Sequence, residues 1–547
     1  MGIGILLILS LGIFVQAGDS YFEVTKNLDI YATLLRELNT YYVDPIEPGK
    51  MVKTSIDAML DDLDPYTNYI TESDIEEYEF MTTGKYGGIG ATMRKKDDNI
   101  YIGDVYENSP SQKAGLHPGD IIISIDGHVT KGKTIDEMSQ LLKGAPGTPI
   151  NMKVKDAYNG QDVEKMITRG EVELSSVPYA GLIGTDKNIA YVRLNQFTPN
   201  CSRMVRSSLD SMKGVKSGLS GVVLDLRNNP GGLLDEAVNL CNIFIDRGQL
   251  VVSTKGKMQD WDKDFKTPAA AWDATIPVVV LVNHSSASAS EIVAGTLQDL
   301  DRGVVIGERS YGKGLVQTTR PLGYNARLKV TTARYYTPSG RCIQVLDYAH
   351  RNPDGSVGAI PDSLKKEFKT RNGRKVLSGG GVEPDIAMKQ GDISKIGVAL
   401  YAKNYLFDYA TQYAKNHPAI SAPETFALTD VEWAQFLKWL EGKDYSYKSE
   451  TESALDSLQK TAEKEKYYDA AKAEIATLRA KLGHDKKLDL QKNAMEVRRM
   501  LESEIVSRYY FLRGRLAHSL RSDDEIGKAL SVLGQKTTYE AILKPKK

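Results

Sequence analysis

The sequence predicts a modular protein with a largely parallel α/β core, a small β-rich module inserted before that core, and helical regions at both ends. A chain of 547 residues is too long for one hydrophobic core and suggests about three or four domains. In the middle of the chain, apolar β-branched runs alternate with helical segments, as in parallel α/β folds. The last third is rich in Ala, Lys, Glu and Leu, which favours helices.

The composition excludes several classes of function. The chain has 70 Lys+Arg and 71 Asp+Glu, so its net charge of -1 gives no basic field for nucleic acid. Its three cysteines, Cys201, Cys241 and Cys342, lie far apart and form neither a disulfide framework nor a cysteine-rich zinc site. The histidines form no HExxH or similar spacing, so we expect no metal and no other cofactor.

Residues 1–18 predict a signal peptide or an N-terminal anchor. An apolar run from Ile3 to Val15 is too short to favour a spanning helix, and Val15-Gln16-Ala17 is typical of a cleavage site. No Lys or Arg precedes the run, although a positive start is usual. We therefore expect export to the periplasm or cell envelope, with membrane association if the segment is retained.

The remaining chain divides into four regions. Residues 19–84 show helical spacing of apolar residues, whereas residues 85–169 show short strands with glycine turns and one helical piece. Residues 170–390 contain the alternating strands and helices of the α/β core, whose continuous apolar strands indicate burial on both faces. Residues 391–547 are predicted to be helical.

A serine-rich stretch, Asn283–Gly295, follows an apolar strand and opens a helix. Small residues at such a junction allow a sharp turn that presents a side chain and free N–H groups at one point, which suits a nucleophile. The alternative is an ordinary helix cap, with Ser288 or Ser290 as the capping residue and Glu291 supporting the first turn.

Two other turns favour the nucleophile. The stretch Leu224–Leu233 is a strand that ends in a glycine turn, so its N–H groups can form an oxyanion hole at the same edge of the sheet. Lys313 lies in a glycine-flanked turn after another buried strand. Burial disfavours the ammonium form, and a neutral amine can take a proton from a serine, so the pattern indicates a Ser/Lys pair.

A nucleotide site is the first rival interpretation, because Gly307–Gly314 contains most of a Walker A motif. That motif requires Ser or Thr directly after its lysine as a Mg²⁺ ligand, and this chain has Gly314 there. We therefore expect no nucleotide binding.

A histidine base is the second rival, because His284 lies four residues before Ser288. There is no GxSxG elbow, and a base so close in a tight turn is poorly placed to reach the same hydroxyl. The lysine remains the favoured base.

Together the motifs resemble those of the tail-specific proteases, also called carboxyl-terminal processing proteases. SASASEIVAGTLQD, VIGERSYGKGLVQ, LDLRNNPGG, TTARYYTPSGRCIQ and GGGVEPDI carry the resemblance over about Leu224–Ile386. It implies that Ser288 is the nucleophile, that Lys313 is the general base 25 residues later, and that Gln317 orients the lysine. If LVQ is a strand, Lys313 and Gln317 project to the same face.

The resemblance also implies the oxyanion hole. In the family it combines the N–H after the nucleophile, here that of Ala289, with a glycine of the NPGG turn. That glycine is either Gly231 or Gly232, and the sequence does not distinguish them.

The β-rich module resembles a PDZ domain. Gly88-Ile89-Gly90-Ala91 stands where such domains bind a peptide's terminal carboxylate through consecutive N–H groups, and Ser109–Gly127 is a second match. Ala91 departs from the pattern, because many PDZ domains have a large apolar residue there.

These observations predict a tail-specific protease fold, with an α/β core, an inserted PDZ domain, N-terminal helices and a C-terminal helical region. The implied function is a serine endopeptidase that recognises free apolar C-terminal tails of proteins or peptides. A non-catalytic PDZ scaffold that captures such tails is the alternative, and the helical ends would suit a homodimer.

Overall fold

The structure is a computed structural model that describes residues 3–216, 218–389, 391–482 and 486–545. Side chains are described from Tyr21 onward, outside residues 483–487. The chain forms two compact units, one comprising the chain up to Ser73 with Gln317–Thr331, the other Asp74–Val316 with Thr332–Lys547. The side chains of the predicted signal peptide or anchor, residues 1–18, lie outside the described residues.

Among the described residues, helices and strands are mixed up to Ala387, and helices follow from Lys395 onward. The α-helices are α1 (Ile3–Tyr41), α2 (Pro48–Asp61), α3 (Ile75–Thr83), α4 (Pro110–Lys113), α5 (Ile135–Leu142), α6 (Cys201–Val215), α7 (Leu234–Phe244), α8 (Ala289–Asp299), α9 (Lys395–Ala402), α10 (Tyr405–Asn416), α11 (Asp430–Leu440), α12 (Glu450–Lys464), α13 (Tyr468–Leu482), α14 (Lys486–Lys492), α15 (Ala494–Ser519), α16 (Asp524–Leu533) and α17 (Lys536–Ile542). The strands are β1 (Asn68–Ile70), β2 (Lys85–Gly88), β3 (Ala91–Lys96), β4 (Asn99–Val105), β5 (Ile121–Ile125), β6 (His128–Val129), β7 (Pro149–Lys155), β8 (Asp162–Thr168), β9 (Gly170–Glu173), β10 (Tyr179–Ile183), β11 (Ile189–Arg193), β12 (Gly221–Asp225), β13 (Leu250–Gly256), β14 (Lys263–Lys266), β15 (Val278–Val282), β16 (Val304–Gly307), β17 (Leu315–Pro321), β18 (Arg327–Tyr336), β19 (Leu346–Arg351), β20 (Val357–Ala359), β21 (Glu367–Lys369), β22 (Lys375–Leu377) and β23 (Ile386–Ala387).

The smaller unit contains α1, α2 and β1. Strand β1 pairs antiparallel with the first half of β18, with Tyr69 opposite Leu328. The side chains of Tyr31 in α1 and Ser55 in α2 share a hydrogen bond. Among the described residues, no helix combines the length and the apolar character needed to cross a membrane.

The core of the larger unit is a six-stranded sheet. Its strand order is β10-β11-β12-β15-β16-β23, and every neighbouring pair is parallel except β10 with β11. Every residue of β12 and β15 is buried, as expected for apolar strands covered on both faces. The prediction of a largely parallel α/β core is confirmed.

Helices from distant parts of the sequence cover the two faces of this sheet. Helices α6, α7 and α8 pack on one face. Helices α16 and α17 pack on the other, where Ile526, Leu533 and Tyr539 are buried. The Tyr539 hydroxyl accepts a hydrogen bond from the Val278 N–H at 3.0 Å. The predicted C-terminal helical region thus contributes its last two helices to the core.

The PDZ domain forms a separate sheet with its own apolar core. Its strand order is β3-β4-β5-β7-β8, with β6 paired to β5, so β3 is an edge strand. The chain enters and leaves through an antiparallel ribbon of β2 and β9, in which Lys85 lies opposite Glu173. This arrangement confirms that the PDZ domain is inserted between the N-terminal helices and the core.

Strand β3 is fixed to the C-terminal helices by two basic residues. The Lys96 ammonium lies 2.6 Å from the Asp408 carboxylate in α10. The Arg94 guanidinium lies 4.5 Å from the ring centre of Phe407 and 3.8 Å from the Glu504 carboxylate in α15. This contact, the PDZ latch, holds the face of β3 that bears Arg94 and Lys96 against the helices.

Replacing Arg94 with methionine is expected to loosen the PDZ latch without unfolding the PDZ domain. The change removes a partly buried cation–π contact and an ion pair, together about 1–2 kcal/mol, so opening should become roughly ten-fold more frequent. Amide hydrogen exchange along β3 and α10 would measure this. The neighbouring exposed residue Lys95, replaced in the same way, is the matched control, and equal exchange in both variants would contradict the prediction.

Candidate active site

Ser288 occupies a strained turn between β15 and α8. Its backbone has φ 54° and ψ -113°, which is rare for a residue other than glycine. The preceding residues hold the turn, because the Ser286 hydroxyl donates to the Leu226 carbonyl at 2.9 Å and the Ser286 N–H donates to the Asn283 carbonyl at 2.8 Å. Strain that the surrounding structure maintains is typical of functional sites. The side chain is half-buried at the start of the helix.

The NPGG turn lies directly against Ser288. The Asn229 carbonyl accepts hydrogen bonds from the Ser290 hydroxyl at 2.9 Å and from the Ala287 N–H at 3.0 Å. Gly231 has φ 102°, and a methyl group added there would come within 2.8 Å of the Ser288 Cβ. Only glycine therefore allows the turn to approach the serine so closely.

Two N–H groups, one directly after Ser288 and one in the NPGG turn, have no acceptor within the described part of the protein. Among the described residues, neither the Ala289 N–H nor the Gly232 N–H has a hydrogen-bond acceptor. The Gly231 N–H instead donates to the Asn229 side chain at 2.9 Å. This arrangement favours Gly232 over Gly231 as the second donor of an oxyanion hole, a choice that the sequence left open.

A buried carboxylate joins the serine turn to the lysine turn. Glu291 Oε2 accepts the Ser288 N–H at 2.8 Å and the Lys313 N–H at 2.9 Å. Its Oε1 accepts the Ser310 hydroxyl at 2.5 Å and the Gly312 N–H at 2.7 Å. Sequence reasoning gave Glu291 only a helix-capping role. The S-x-x-E spacing predicts a helix cap, but it does not indicate that the carboxylate also accepts hydrogen bonds from a second turn.

Lys313 is half-buried in a turn whose flanking glycines pack closely against neighbouring residues. Gly312 has φ 87°, and a methyl group added there would lie 2.0 Å from Val345 Cγ2. The Gly314 N–H donates to the Gln344 side chain at 2.7 Å. The Lys313 backbone is therefore fixed on both sides.

Gln317 belongs to the smaller unit, where its amide donates to the Thr331 hydroxyl at 3.1 Å. Thr331 also bonds to Thr67 through its backbone N–H at 3.2 Å. The role of Gln317 in orienting Lys313 remains a prediction from the resemblance.

The two rival interpretations find little support here. His284 is 76% exposed at its side chain, and its Nδ1 lies 2.9 Å from the Glu308 carboxylate. Lys313 is followed by strand β17, whereas a phosphate-binding loop opens a helix whose N-terminus faces the phosphates. Neither a histidine base nor a nucleotide site is favoured.

The predicted tail-binding loop also offers free donors. Among the described residues, the N–H groups of Ile89 and Gly90 have no acceptor. Two hydrogen bonds fix the loop backbone, because the Ile89 carbonyl accepts both the N–H and the hydroxyl of Ser111, at 2.8 and 2.7 Å. Gly88 precedes these residues at the end of β2, and Ala91 follows at the start of β3, half-buried.

The sequence spacing did not predict one cluster of side chains of the types that bind metals. His117, Asp120 and Asp156 of the PDZ domain place ligand atoms within 4.8 Å of one another. Both Asp120 oxygens already accept backbone N–H groups, from His117 at 2.9 Å and from Ala157 at 2.8 Å. These bonds indicate that the aspartate stabilises the loop.

The protonation of Glu291 predicts a pH dependence of the site. Burial raises its pKa to about 7, and its four hydrogen bonds lower it only in part. The folded chain thus binds this proton more tightly than the unfolded chain. The resulting stability is complete below the ordinary glutamate pKa of 4.5 and is lost as the pH rises through about 7.

We therefore expect local opening of the Gly312–Lys313 turn to become more frequent as the pH rises from about 4.5 to about 7. The frequency of opening should increase by up to about ten-fold per pH unit and should be constant above about pH 7. Amide hydrogen exchange of the two N–H groups, corrected for intrinsic rates, measures it. The Glu291→Gln variant should show no such slope. A flat profile in the wild-type chain would contradict the assignment.

Three family models match the chain. Residues 188–357 match peptidase family S41, residues 101–156 match a PDZ domain, and residues 396–533 match the C-terminal helical domain of probable PDZ-proteases. The first contains Ser288 and Lys313.

Named relatives agree with these matches. The carboxy-terminal-processing protease of Bartonella bacilliformis is 35% identical over 368 residues, which cover 66% of this chain and 81% of the relative. A probable CtpA-like serine protease of Staphylococcus haemolyticus is 37% identical over 59% of this chain and 63% of its own length. The solved photosystem II D1 C-terminal processing protease is 26% identical, with 65% of this chain and 86% of that chain covered and a TM-score of 0.35.

The match to a peptidase family does not favour a non-catalytic PDZ scaffold. The chain belongs to peptidase family S41, among the carboxy-terminal-processing serine proteases.

Proposed function

We propose that this chain is an endopeptidase of the cell envelope that binds free apolar C-terminal tails and cleaves those proteins with Ser288 as nucleophile and Lys313 as general base. The observation that carries the proposal is the Glu291 carboxylate. One of its oxygens accepts the N–H groups of both residues, so a single buried group sets the position of one turn relative to the other. A nucleophile and a base need such fixed positions.

In the proposed reaction, Ser288 Oγ attacks the scissile carbonyl carbon while the Lys313 amine takes the hydroxyl proton. The oxyanion receives hydrogen bonds from the Ala289 N–H and from a glycine N–H of the NPGG turn, for which Gly232 has the better support. The C–N bond then breaks, and the lysine returns its proton to the leaving amine. Water hydrolyses the remaining ester, with the lysine again acting as base.

Tail recognition in this proposal belongs to the PDZ domain. Two adjacent free N–H groups, from Ile89 and Gly90, form a suitable cradle for a terminal carboxylate. Edge strand β3 follows them, so a bound tail can add to the sheet as a further strand.

Location and assembly are part of the same proposal. The apolar run from Ile3 to Val15 supports export and membrane association. Large apolar side chains in the later part of α1, including Phe22, Leu28 and Leu34, are more than half exposed, which supports a homodimer. Cell fractionation and sedimentation of the purified chain would test these two points.

The activity is tested with a small protein that ends in an apolar tail, prepared with a free or an amidated C-terminus. The wild-type chain should cleave the free form faster, and Ser288→Ala should cleave neither. Cleavage by Ser288→Ala would refute the nucleophile. Equal rates on both substrates would refute recognition of the carboxylate and leave the protease chemistry standing.

A further inference from the structure

Tyr335, in the motif TTARYYTPSGRCIQ, contacts both turns of the candidate active site. Its side chain belongs to β18 and is only 1% exposed. Its hydroxyl donates to the Ser288 carbonyl at 3.2 Å. Its backbone N–H donates at 3.0 Å to the carbonyl of Gly314, which directly follows Lys313. The proposed reaction gives this buried tyrosine no role.

The peptide unit between Ser288 and Ala289 links the carbonyl that Tyr335 contacts to the predicted oxyanion hole. This peptide bond is trans. A trans peptide unit is planar, so its carbonyl and its N–H point in opposite directions from the same plane. Whatever holds the Ser288 carbonyl therefore also sets the direction of the Ala289 N–H. A rotation of this plane would turn the N–H away from the substrate's oxygen.

Two donors hold the Ser288 carbonyl. The Ile292 N–H, in the first turn of α8, donates at 2.9 Å, and the Tyr335 hydroxyl donates from β18. A carbonyl oxygen has two lone pairs, so it can accept both hydrogen bonds at once. The plane needs this support, because it follows the strained Ser288 backbone, whose ψ of -113° sets its rotation. Such a conformation persists only where its surroundings hold it.

We propose that Tyr335 is a positioning residue for the oxyanion hole. Its hydroxyl fixes the Ser288–Ala289 peptide plane, so that the Ala289 N–H points at the oxygen that becomes negative in the transition state. The hydrogen bond to the carbonyl also polarises the peptide unit, which strengthens its N–H as a donor. This inference rests on the proposed function, because it assigns a role within the same reaction.

Tyr335→Phe tests the hydroxyl alone, because it keeps the ring and creates no large cavity. Complete loss of one oxyanion donor costs about 10²- to 10³-fold in kcat. Ile292 still holds the carbonyl in this variant, so we expect a smaller loss of about ten- to thirty-fold in kcat, with KM within about two-fold. Initial rates on the small protein with a free apolar tail measure both constants, and the thermal unfolding curve verifies the fold.

A peptide aldehyde distinguishes positioning from packing. Ser288 Oγ adds to the aldehyde carbon, Lys313 takes the hydroxyl proton, and the former carbonyl oxygen becomes the oxyanion. The adduct therefore resembles the transition state, whereas the corresponding peptide alcohol binds without forming it. Tyr335→Phe should weaken inhibition by the aldehyde by about the same factor as it lowers kcat/KM, and should not change inhibition by the alcohol.

Tyr336→Phe is the matched control. Tyr336 is the next residue of β18, so its side chain points to the opposite face of the strand. Its ring lies 5.5 Å from the Lys255 ammonium, and its hydroxyl has no hydrogen-bond partner among the described residues. Removing this hydroxyl should leave kcat, KM and inhibition by the aldehyde unchanged.

Three results would overturn the inference. A wild-type kcat in Tyr335→Phe would show that the hydroxyl does not position the donor, and equal weakening of aldehyde and alcohol would reduce Tyr335 to a packing role. In both cases the wild-type chain still cleaves and Ser288→Ala does not, so the proposed function survives. If the wild-type chain neither cleaves the substrate nor binds the aldehyde more tightly than the alcohol, the proposed function and this inference fail together.

Discussion

Lys313→Ala is expected to lower kcat/KM by about 10⁴- to 10⁶-fold, the range found when one member of a nucleophile–base unit is removed. Without the amine, the Ser288 hydroxyl has no group to take its proton, and the leaving amine has no donor. The loss should fall on kcat, because the PDZ groove that is proposed to bind the tail is a separate part of the chain. Initial rates with the free-tail substrate would measure it.

Two further lysine variants refine the test. Lys313→Arg keeps a cation that does not deprotonate in proteins and should be as inactive as alanine, whereas a purely structural cation would be rescued by arginine. Lys313→Met keeps the apolar stem and controls for packing. Substantial activity in the alanine variant, with an unchanged thermal unfolding curve, would refute the assignment of Lys313 as the general base.

Glu291→Gln is expected to lower kcat by about 10²- to 10³-fold. Each carboxylate oxygen accepts two donors, so an amide group must place its NH₂ against two N–H or O–H groups. Each buried donor that loses its acceptor costs about 1–3 kcal/mol, and the turns can relieve this only by moving apart. A displacement of about 1 Å at a catalytic group is enough to cost about 10²-fold in rate.

Ser310→Ala is the matched control for this prediction. It removes one of the four donors and leaves the carboxylate with the other three, so the rate should fall by less than about ten-fold. Rates and unfolding midpoints of both variants should be measured together. A Glu291→Gln enzyme that works at nearly the wild-type rate would show that the two turns hold their positions without this carboxylate.

The sequence was sufficient for the architecture, because continuous apolar strands predicted the buried parallel sheet. The catalytic roles of Ser288 and Lys313 remain predictions from the motif resemblance. The sequence did not reveal that Glu291 joins two turns. The capping motif concerns only the helix that Glu291 begins, whereas Lys313, whose N–H the carboxylate accepts, lies 22 positions later. Nor could the sequence assign α16 and α17 to the core, since an amphipathic pattern indicates a buried face without naming what covers it.

The sequence also could not decide whether Gly231 or Gly232 supplies the second donor of the predicted oxyanion hole. Both residues have positive φ, and both lie too close to other backbone for a side chain. What separates them is whether the N–H is already used, and that depends on the Asn229 side chain. Consecutive glycines in a turn carry no signal of this kind.

The late position of α16 and α17 has a consequence for biosynthesis. A ribosome adds about 5–20 residues per second, so the chain from Gly307 to Tyr539 takes roughly 10 to 45 s to make. Throughout that interval one face of the sheet is uncovered, and Arg227, next to the NPGG turn, lacks its partners Asp523 and Glu525. Ser288 and Lys313 are therefore synthesised before the two helices that cover the second face of the sheet and before the acidic partners of Arg227.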